Sequence, residues 1–186
     1  MNRIIMMMSV SLDGYLEGPD ADISWHQVDD ELMAHMNEWL GAAGGFLEGR
    51  VTYQLMDDYW PTADQAPDVA PLTAEFARIW RDMPKVVYSR TLAHADWATT
   101  IAREVDPDEV RALRDQASGD LVVGGADLAA EFRRHDLIDE YRIYVHPVVI
   151  GRGKPLFPVG TEPFNLRLAE TRTFGNGVVL LRYSHA

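Results

Sequence analysis

The amino-acid sequence predicts an α/β fold, with a mixed, mostly parallel central sheet, helices on both faces and a C-terminal antiparallel hairpin. Strand-like apolar runs alternate with segments whose apolar residues recur at helical spacing, and glycine stands directly between strand and helix at two places. The closing third holds two strand-like runs around Gly175-Asn176-Gly177.

Arg3 to Ser11 (RIIMMMSVS) is an apolar run of the kind that forms a strand covered on both faces. Asp13-Gly14 turns the chain. Asp29 or Asp30 can then cap a helix whose Leu32, Met36, Trp39 and Leu40 form one buried stripe, ended by Gly41 to Gly45. Gly45 to Glu48 (GFLE) reads as a second short strand, and Gly49-Arg50 leads straight into a short helix over Val51 to Met56. Asp57 to Pro71, with its prolines and aspartates, reads as a loop, after which Leu72, Phe76, Trp80 and Met83 mark a second amphipathic helix stopped by Pro84.

Lys85 to Ser89 (KVVYS) is a further strand, and Asp106-Pro107 supplies a cap followed by proline in the first helical position. Leu121 to Val123 is the next strand. Gly124-Gly125 follows at once, and Ala126 to His135 forms a helix with Leu128 and Phe132 on one face. Tyr141 to Ile150 alternates as a strand, and Leu166 to Thr173 pairs with Val178 to Tyr183 across the Gly-Asn-Gly turn. Right-handed crossovers are expected at the parallel steps. With no repeat, low-complexity tract or linker, residues 1–186 read as a single domain.

Composition narrows the classes of function. A content of 47% hydrophobic and 25% charged residues is that of a globular protein. A formal net charge of −12 repels phosphate backbones and anionic lipid, so neither nucleic acid nor membrane is an expected partner. The Ile4 to Val10 run is too short to span a bilayer and lacks a signal-peptide cleavage pattern, so the chain is expected to be cytoplasmic. Absence of cysteine excludes a disulfide, a thiolate nucleophile and a cysteine-ligated metal. His26, His35, His94, His135, His146 and His185 are scattered, with no H-E-x-x-H and no carboxylate cluster at ligand spacing, so no protein metal site is expected. A G-x-S-x-G elbow, a Walker loop and G-x-G-x-x-G are also missing, which disfavours hydrolase, P-loop and Rossmann readings.

Two segments point to a ligand. Gly49-Arg50 and Gly124-Gly125 each lie between a buried strand and a helix, where unpaired N–H groups and the positive dipole end attract phosphate. Such junctions in a parallel sheet share one edge, so the pair could hold one diphosphate; each alone could equally be a tight turn. Ser89-Arg90-Thr91 leaves the same type of strand end and offers a guanidinium with two hydroxyls, either for a phosphate monoester or as a solvated turn. Around the first strand and helix, Trp25 can stack on a planar substrate or pack in the core, and Asp13 and Asp30 can meet a substrate, Asp30 also serving as a cap.

The ordered set SLDGY (Ser11 to Tyr15), GRVTY (Gly49 to Tyr53), VVYSRT (Val86 to Thr91), LVVGGADL (Leu121 to Leu128) and LIDEYRIYVHPVVIGRGKPLF (Leu137 to Phe157) resembles a known family. It is similar to the dihydrofolate-reductase-like proteins, specifically the C-terminal reductase domain of the bifunctional riboflavin-biosynthesis deaminase/reductase. The resemblance implies NADPH as cofactor: Gly49, Arg50 and Thr52 opening a helix on phosphate, Ser89 and Arg90, beside Thr91, at the 2′-phosphate, and Gly124, Gly125, Ala126, Asp127 and Leu128 around the diphosphate. It implies an unusual, even cis, peptide between Gly124 and Gly125, and places Asp13 of the Ser11-Leu12-Asp13-Gly14 motif at the substrate. Comparison with true dihydrofolate reductases sets Asp30 near their pterin-binding carboxylate. Where the riboflavin reductases carry an acid before the glycine pair, this chain has Val123.

The expected activity is hydride transfer from NADPH to a small heterocyclic, pterin- or pyrimidine-like, or related organic substrate, with Asp13 or Asp30 assisting protonation and Ser11 and Trp25 beside the substrate. The alternative is a non-catalytic module that binds a small ligand or nucleotide on the same fold, consistent with Val123. A homodimer is expected through the Tyr141, Tyr144 and Val145 strand, unless that is an ordinary core strand.

Overall fold

In a computed structural model of the chain, which describes residues 1–185, the apolar run at the start becomes β1 (Ile4–Ser11). Its alternate side chains enter two cores. Ile4, Met6, Met8 and Val10 pack on one face of the sheet and Met7 on the other, the two-residue period of a pleated strand. β3 (Gly45–Gly49), β6 (Leu121–Gly124) and β7 (Glu140–His146) divide their side chains in the same way. Leu47, Val123, Tyr141 and Ile143 join the first core; Phe46, Val122 and Tyr144 join the second.

Helices cover both faces. Val110 of α4 (Pro107–Gln116) and Leu128 and Phe132 of α5 (Ala126–Arg134) close the first core. Leu32, Met36 and Leu40 of α1 (Asp30–Gly41) and Phe76 and Trp80 of α3 (Pro71–Asp82) close the second, with Tyr53 of α2 (Arg50–Asp57). Trp80, Phe132, Tyr141 and Tyr144 are fully buried, and each such aromatic contributes about 1.5–3 kcal/mol by leaving water. Tyr144 also accepts a hydrogen bond from Trp39 Nε1 at 3.0 Å.

The main sheet has eight strands in the order β5-β4-β3-β6-β1-β7-β10-β9, with β4 (Lys85–Tyr88), β5 (Thr99–Ala102), β9 (Leu166–Thr173) and β10 (Val179–His185). All pairs from β5 to β7 are parallel. β10 runs antiparallel to β7 and to β9, completing the hairpin. The architecture is the mixed, mostly parallel sheet of the dihydrofolate-reductase-like fold. A second ribbon pairs β2 (Tyr15–Glu17) with β8 (Lys154–Pro155).

The structure selects between the alternatives of the sequence reading in some places and departs from it in others. Asp29, not Asp30, caps α1, accepting from Leu32 N at 3.0 Å. The segment Asp57 to Pro71 contains a 3-10 turn over Trp60–Gln65. The strand expected to reach Ile150 ends at His146, because Pro147 has no N–H to continue the ladder. β7 does not offer a subunit interface: it lies between β1 and β10, and Tyr141 and Tyr144 are buried inside the chain. The alternative of an ordinary core strand holds. Sheet edges belong to β5 and β9. Among the described residues no helix is long and apolar enough to cross a membrane.

Asp106 caps α4 by accepting from Asp108 N at 2.8 Å and Glu109 N at 3.2 Å. Asp106→Ala is expected to cost about 1 kcal/mol, read as a lower urea midpoint with unchanged slope; an unmoved midpoint would show that the cap contributes nothing.

Candidate functional site

Parallel pairing of β3 with β6 places Leu47 beside Val123 and Glu48 beside Gly124. The two glycine junctions therefore leave neighbouring strands at the same height. Gly49 precedes α2 in an extended conformation and Gly125 precedes α5 with φ 98° and ψ 128°; neither helix has a side-chain cap. The first-turn N–H groups of both helices have no capping side chain, and both dipole ends face one cleft.

Close approach explains the glycine at 125. A Cβ there would lie 2.8 Å from Thr52 Oγ1, and its positive φ disfavours any L side chain. The peptide between Gly124 and Gly125 is not cis, as no bond among the described residues is. The backbone instead turns at the φ of Gly125.

The cleft encloses about 860 Å³ and runs along the carboxyl ends of β3, β4 and β6. Gly49, Arg50 and Thr52 line it from α2, Ser89, Arg90 and Thr91 from the loop after β4, and Gly124, Gly125, Ala126, Asp127 and Leu128 from the start of α5. Three segments far apart in sequence thus meet around one space. Ser89 is buried, and its Oγ accepts from Leu92 N at 2.9 Å and Thr91 N at 3.3 Å. Arg103 braces the same loop by donating to Ser89 O at 2.9 Å and Leu92 O at 2.7 Å. Arg90, exposed on this braced loop, is its cation toward the cleft.

Four other residues fall outside the lining. The Asp13 carboxylate accepts from Gly151 N at 2.7 Å and Ile150 N at 3.2 Å, tying two loops together. Hydrogen bonds from Ser11 first, then from those backbone groups, hold it below the usual carboxylate range. Ser11 is buried, its Oγ accepting from Tyr15 N at 3.0 Å. Asp30 is exposed on the first turn of α1. Trp25 donates to Asp22 O at 3.1 Å, and its ring sits edge-on to His26 and His146, so it is held as packing.

Glu48 went unsingled in the sequence, although it is the one charged residue in the strand GFLEG. It lines the cleft while only 5% exposed, and its Oε2 has no hydrogen-bond partner. Burial pushes its pKa up to about 7 against the opposing pull of Lys85 and of the nearby Trp80 indole N–H, which falls short of a well-formed hydrogen bond. Lys85 is itself buried, donating to Met83 O at 2.7 Å with Nζ 4.5 Å from the Trp80 ring centre. Burial lowers that ammonium to about 8. His26 also lines the cleft, its ring stacked on that of His146 with centres 5.2 Å apart. Lys154 lines the rim and pairs with Asp127 at 2.7 Å. Among the described residues no group of three or more His, Asp or Glu is placed to hold a metal ion.

Comparison with known proteins adds kinship to this geometry. Residues 2–180 match the model of the RibD C-terminal domain family. Two Bacillus subtilis proteins of uncharacterised function are similar over nearly their full length: YyaP, 33% identical over 97% of this chain and 94% of its own, and YwjB, 28% identical over 96% and 95%. A structure assigned to riboflavin biosynthesis in Shewanella sp. PV-4 superposes with a TM-score of 0.73 at 19% identity, covering 99% of both chains. A diaminohydroxyphosphoribosylaminopyrimidine deaminase/5-amino-6-(5-phosphoribosylamino)uracil reductase from Thermotoga maritima gives 0.66 at 17% identity, over all of this chain and 57% of that one.

Two outcomes test the site as built. Gly125→Ala should cost about 2 kcal/mol from its positive φ and the contact with Thr52, seen as a lower melting temperature; an unchanged one would mean that the loop relaxes freely. Glu48 rises in the folded state from its ordinary 4.5 to about 7. Its contribution to stability is complete below 4.5 and lost as pH rises through 7, so Glu48→Gln should gain on the native chain by up to about 3 kcal/mol across that window. Denaturant titrations at both ends of the window would read it, and parallel curves would contradict the burial argument.

Proposed function

The chain belongs to the RibD C-terminal domain family, and from that premise we propose that it is an NADPH-dependent reductase of a small heterocyclic, pterin- or pyrimidine-like, or related organic substrate. One observation carries the reading: two uncapped helix N-termini and an exposed arginine loop converge on a single cleft. Pyridine dinucleotides with a 2′-phosphate present two anionic groups, and the cleft offers two matching places.

The residues fit such a group. The N–H groups opening α5 and α2, with Thr52 between them, would hold the diphosphate, since the absence of a side chain at Gly125 leaves the backbone open to close approach. Arg90, with Thr91, would take the 2′-phosphate; its planar, permanently charged guanidinium suits bidentate contact. Ser89 acts on this loop from within, fixing its shape through Leu92 N and Thr91 N. When bound, NADPH supplies the hydride, and the chain's part is to position the reactants and keep water out. Met36, Phe76 and Trp60 line the cleft for that purpose. Asp13 and Asp30 stand off the lining, so the accompanying proton is not assigned to either.

The second reading, a module that binds without turnover, has Val123 in its favour: the side chain is fully buried beside Leu47 and brings no polar group to the cleft. Loss of reduced-nicotinamide absorbance with pterins, flavin precursors or quinones decides for the reductase; nucleotide binding with no oxidation decides for the module. Arg90→Ala is expected to lower the preference for NADPH over NADH by about tenfold or more, the loss of one charge-assisted contact, measured as the ratio of dissociation constants. An unaltered ratio would reject the role given to Arg90.

A further inference from the structure

The inner half of the cleft differs from its rim in a way that nucleotide binding does not require. Met36, Phe46, Phe76, Trp80 and Val122 line it and are all buried, and Trp60 meets Phe76 edge-on at 4.4 Å between ring centres. Glu48 is the one carboxyl among these buried lining residues.

The cations of the lining are elsewhere. Arg50 and Arg90 are exposed at the nucleotide end, and Lys154 is paired with Asp127 at the rim. Lys85, the nearest buried cation, does not line the cleft; its Nζ turns back to the carbonyls of Trp80 and Met83.

We propose that this inner half is the substrate pocket for an uncharged, planar, non-phosphorylated ring, and that Glu48 is its specificity-determining residue, hydrogen-bonding to the ring's polar edge. The assignment rests on the nucleotide reading above, because it leaves Arg50 and Arg90 to the cofactor. A phosphate carried inward would leave water for an apolar wall with a carboxyl in it and no cation to offset the loss. A flat ring fits aromatic and methionine surfaces, the methionines adapting to its outline.

Glu48 supplies the polar part. Its inner oxygen Oε2 is buried beside the Trp80 indole without a well-formed hydrogen bond, and no side-chain or backbone donor among the described residues bonds to the other oxygen, so the carboxyl of this lining residue is available to a ligand. Carrying its proton, the carboxyl donates to a ring nitrogen or carbonyl oxygen and accepts from an adjacent N–H, so it matches the cis-amide edge of a lactam ring. Desolvation favours that neutral form. Such a ligand differs from the phosphoribosyl compound named for the Thermotoga maritima enzyme.

The test uses the full chain saturated with NADP⁺, with fluorescence quenching of three probes: lumichrome, an uncharged tricycle with a cis-amide edge, and riboflavin and FMN, which differ by one phosphate. Lumichrome should bind, and FMN should bind at least tenfold more weakly than riboflavin. Glu48→Leu should weaken lumichrome at least tenfold, Glu48→Gln should restore most of the loss, and both should keep the NADP⁺ affinity of the native chain, which also shows that they fold. Equal binding of riboflavin and FMN would overturn the proposal, as would native-like lumichrome binding by Glu48→Leu. So would a chain that takes NADP⁺ and none of the uncharged rings. Ring binding in the expected pattern without NADP⁺ binding supports the pocket and removes the nucleotide reading alone.

Discussion

The site depends on the register of β3 against β6. With Glu48 opposite Gly124, the two strands end together and launch α2 and α5 side by side. A slip of one residue would exchange the faces of a whole strand, sending Phe46 toward the core of Leu47 and lifting one helix N-terminus away from the other. The two-sided hydrophobic pattern prevents it: Phe46 and Val122 belong to one core, Leu47 and Val123 to the other. Packing that stabilises the fold is thus the same packing that aligns the two uncapped helix N-termini.

Much of this was legible in the sequence. Apolar runs gave the buried parallel strands, and glycine after GFLE and LVV marked the junctions, because both signals come from local chemistry. The short pieces were not legible. Thr99–Ala102 is an edge strand of four residues without strong apolar character, and β2 and β8 gain their pairing only when distant loops meet. Asp29 and Asp30 are both suitable caps, and only the geometry of the helix entry selects Asp29.

The substrate side shows the opposite balance. Asp13, Asp30, Ser11 and Trp25 were chosen for their type and neighbourhood and, for the two aspartates, through the family resemblance, yet each has a structural partner or points to solvent. Glu48 carried a readable signal, a lone charge in an apolar strand beside glycine, though its meaning depends on α3 covering one side and the cleft opening on the other. A carboxyl and an ammonium, Glu48 and Lys85, are buried on adjacent strands without forming a bridge within 4.0 Å. Each departs from its usual ionisation through loss of water, against the pull of the other's charge.

The left-handed turn at Gly125 also bears on how this chain can diverge. Position 125 is closed to substitution by its backbone angle and by Thr52, whereas Arg90 and Thr91 stand on an exposed loop whose shape is kept by Ser89 and Arg103. On the proposed reading, preference between dinucleotides is therefore set at a loop that can change without disturbing the Gly125 turn. The fold separates a turn whose backbone leaves little room for change from an exposed loop that is open to selection.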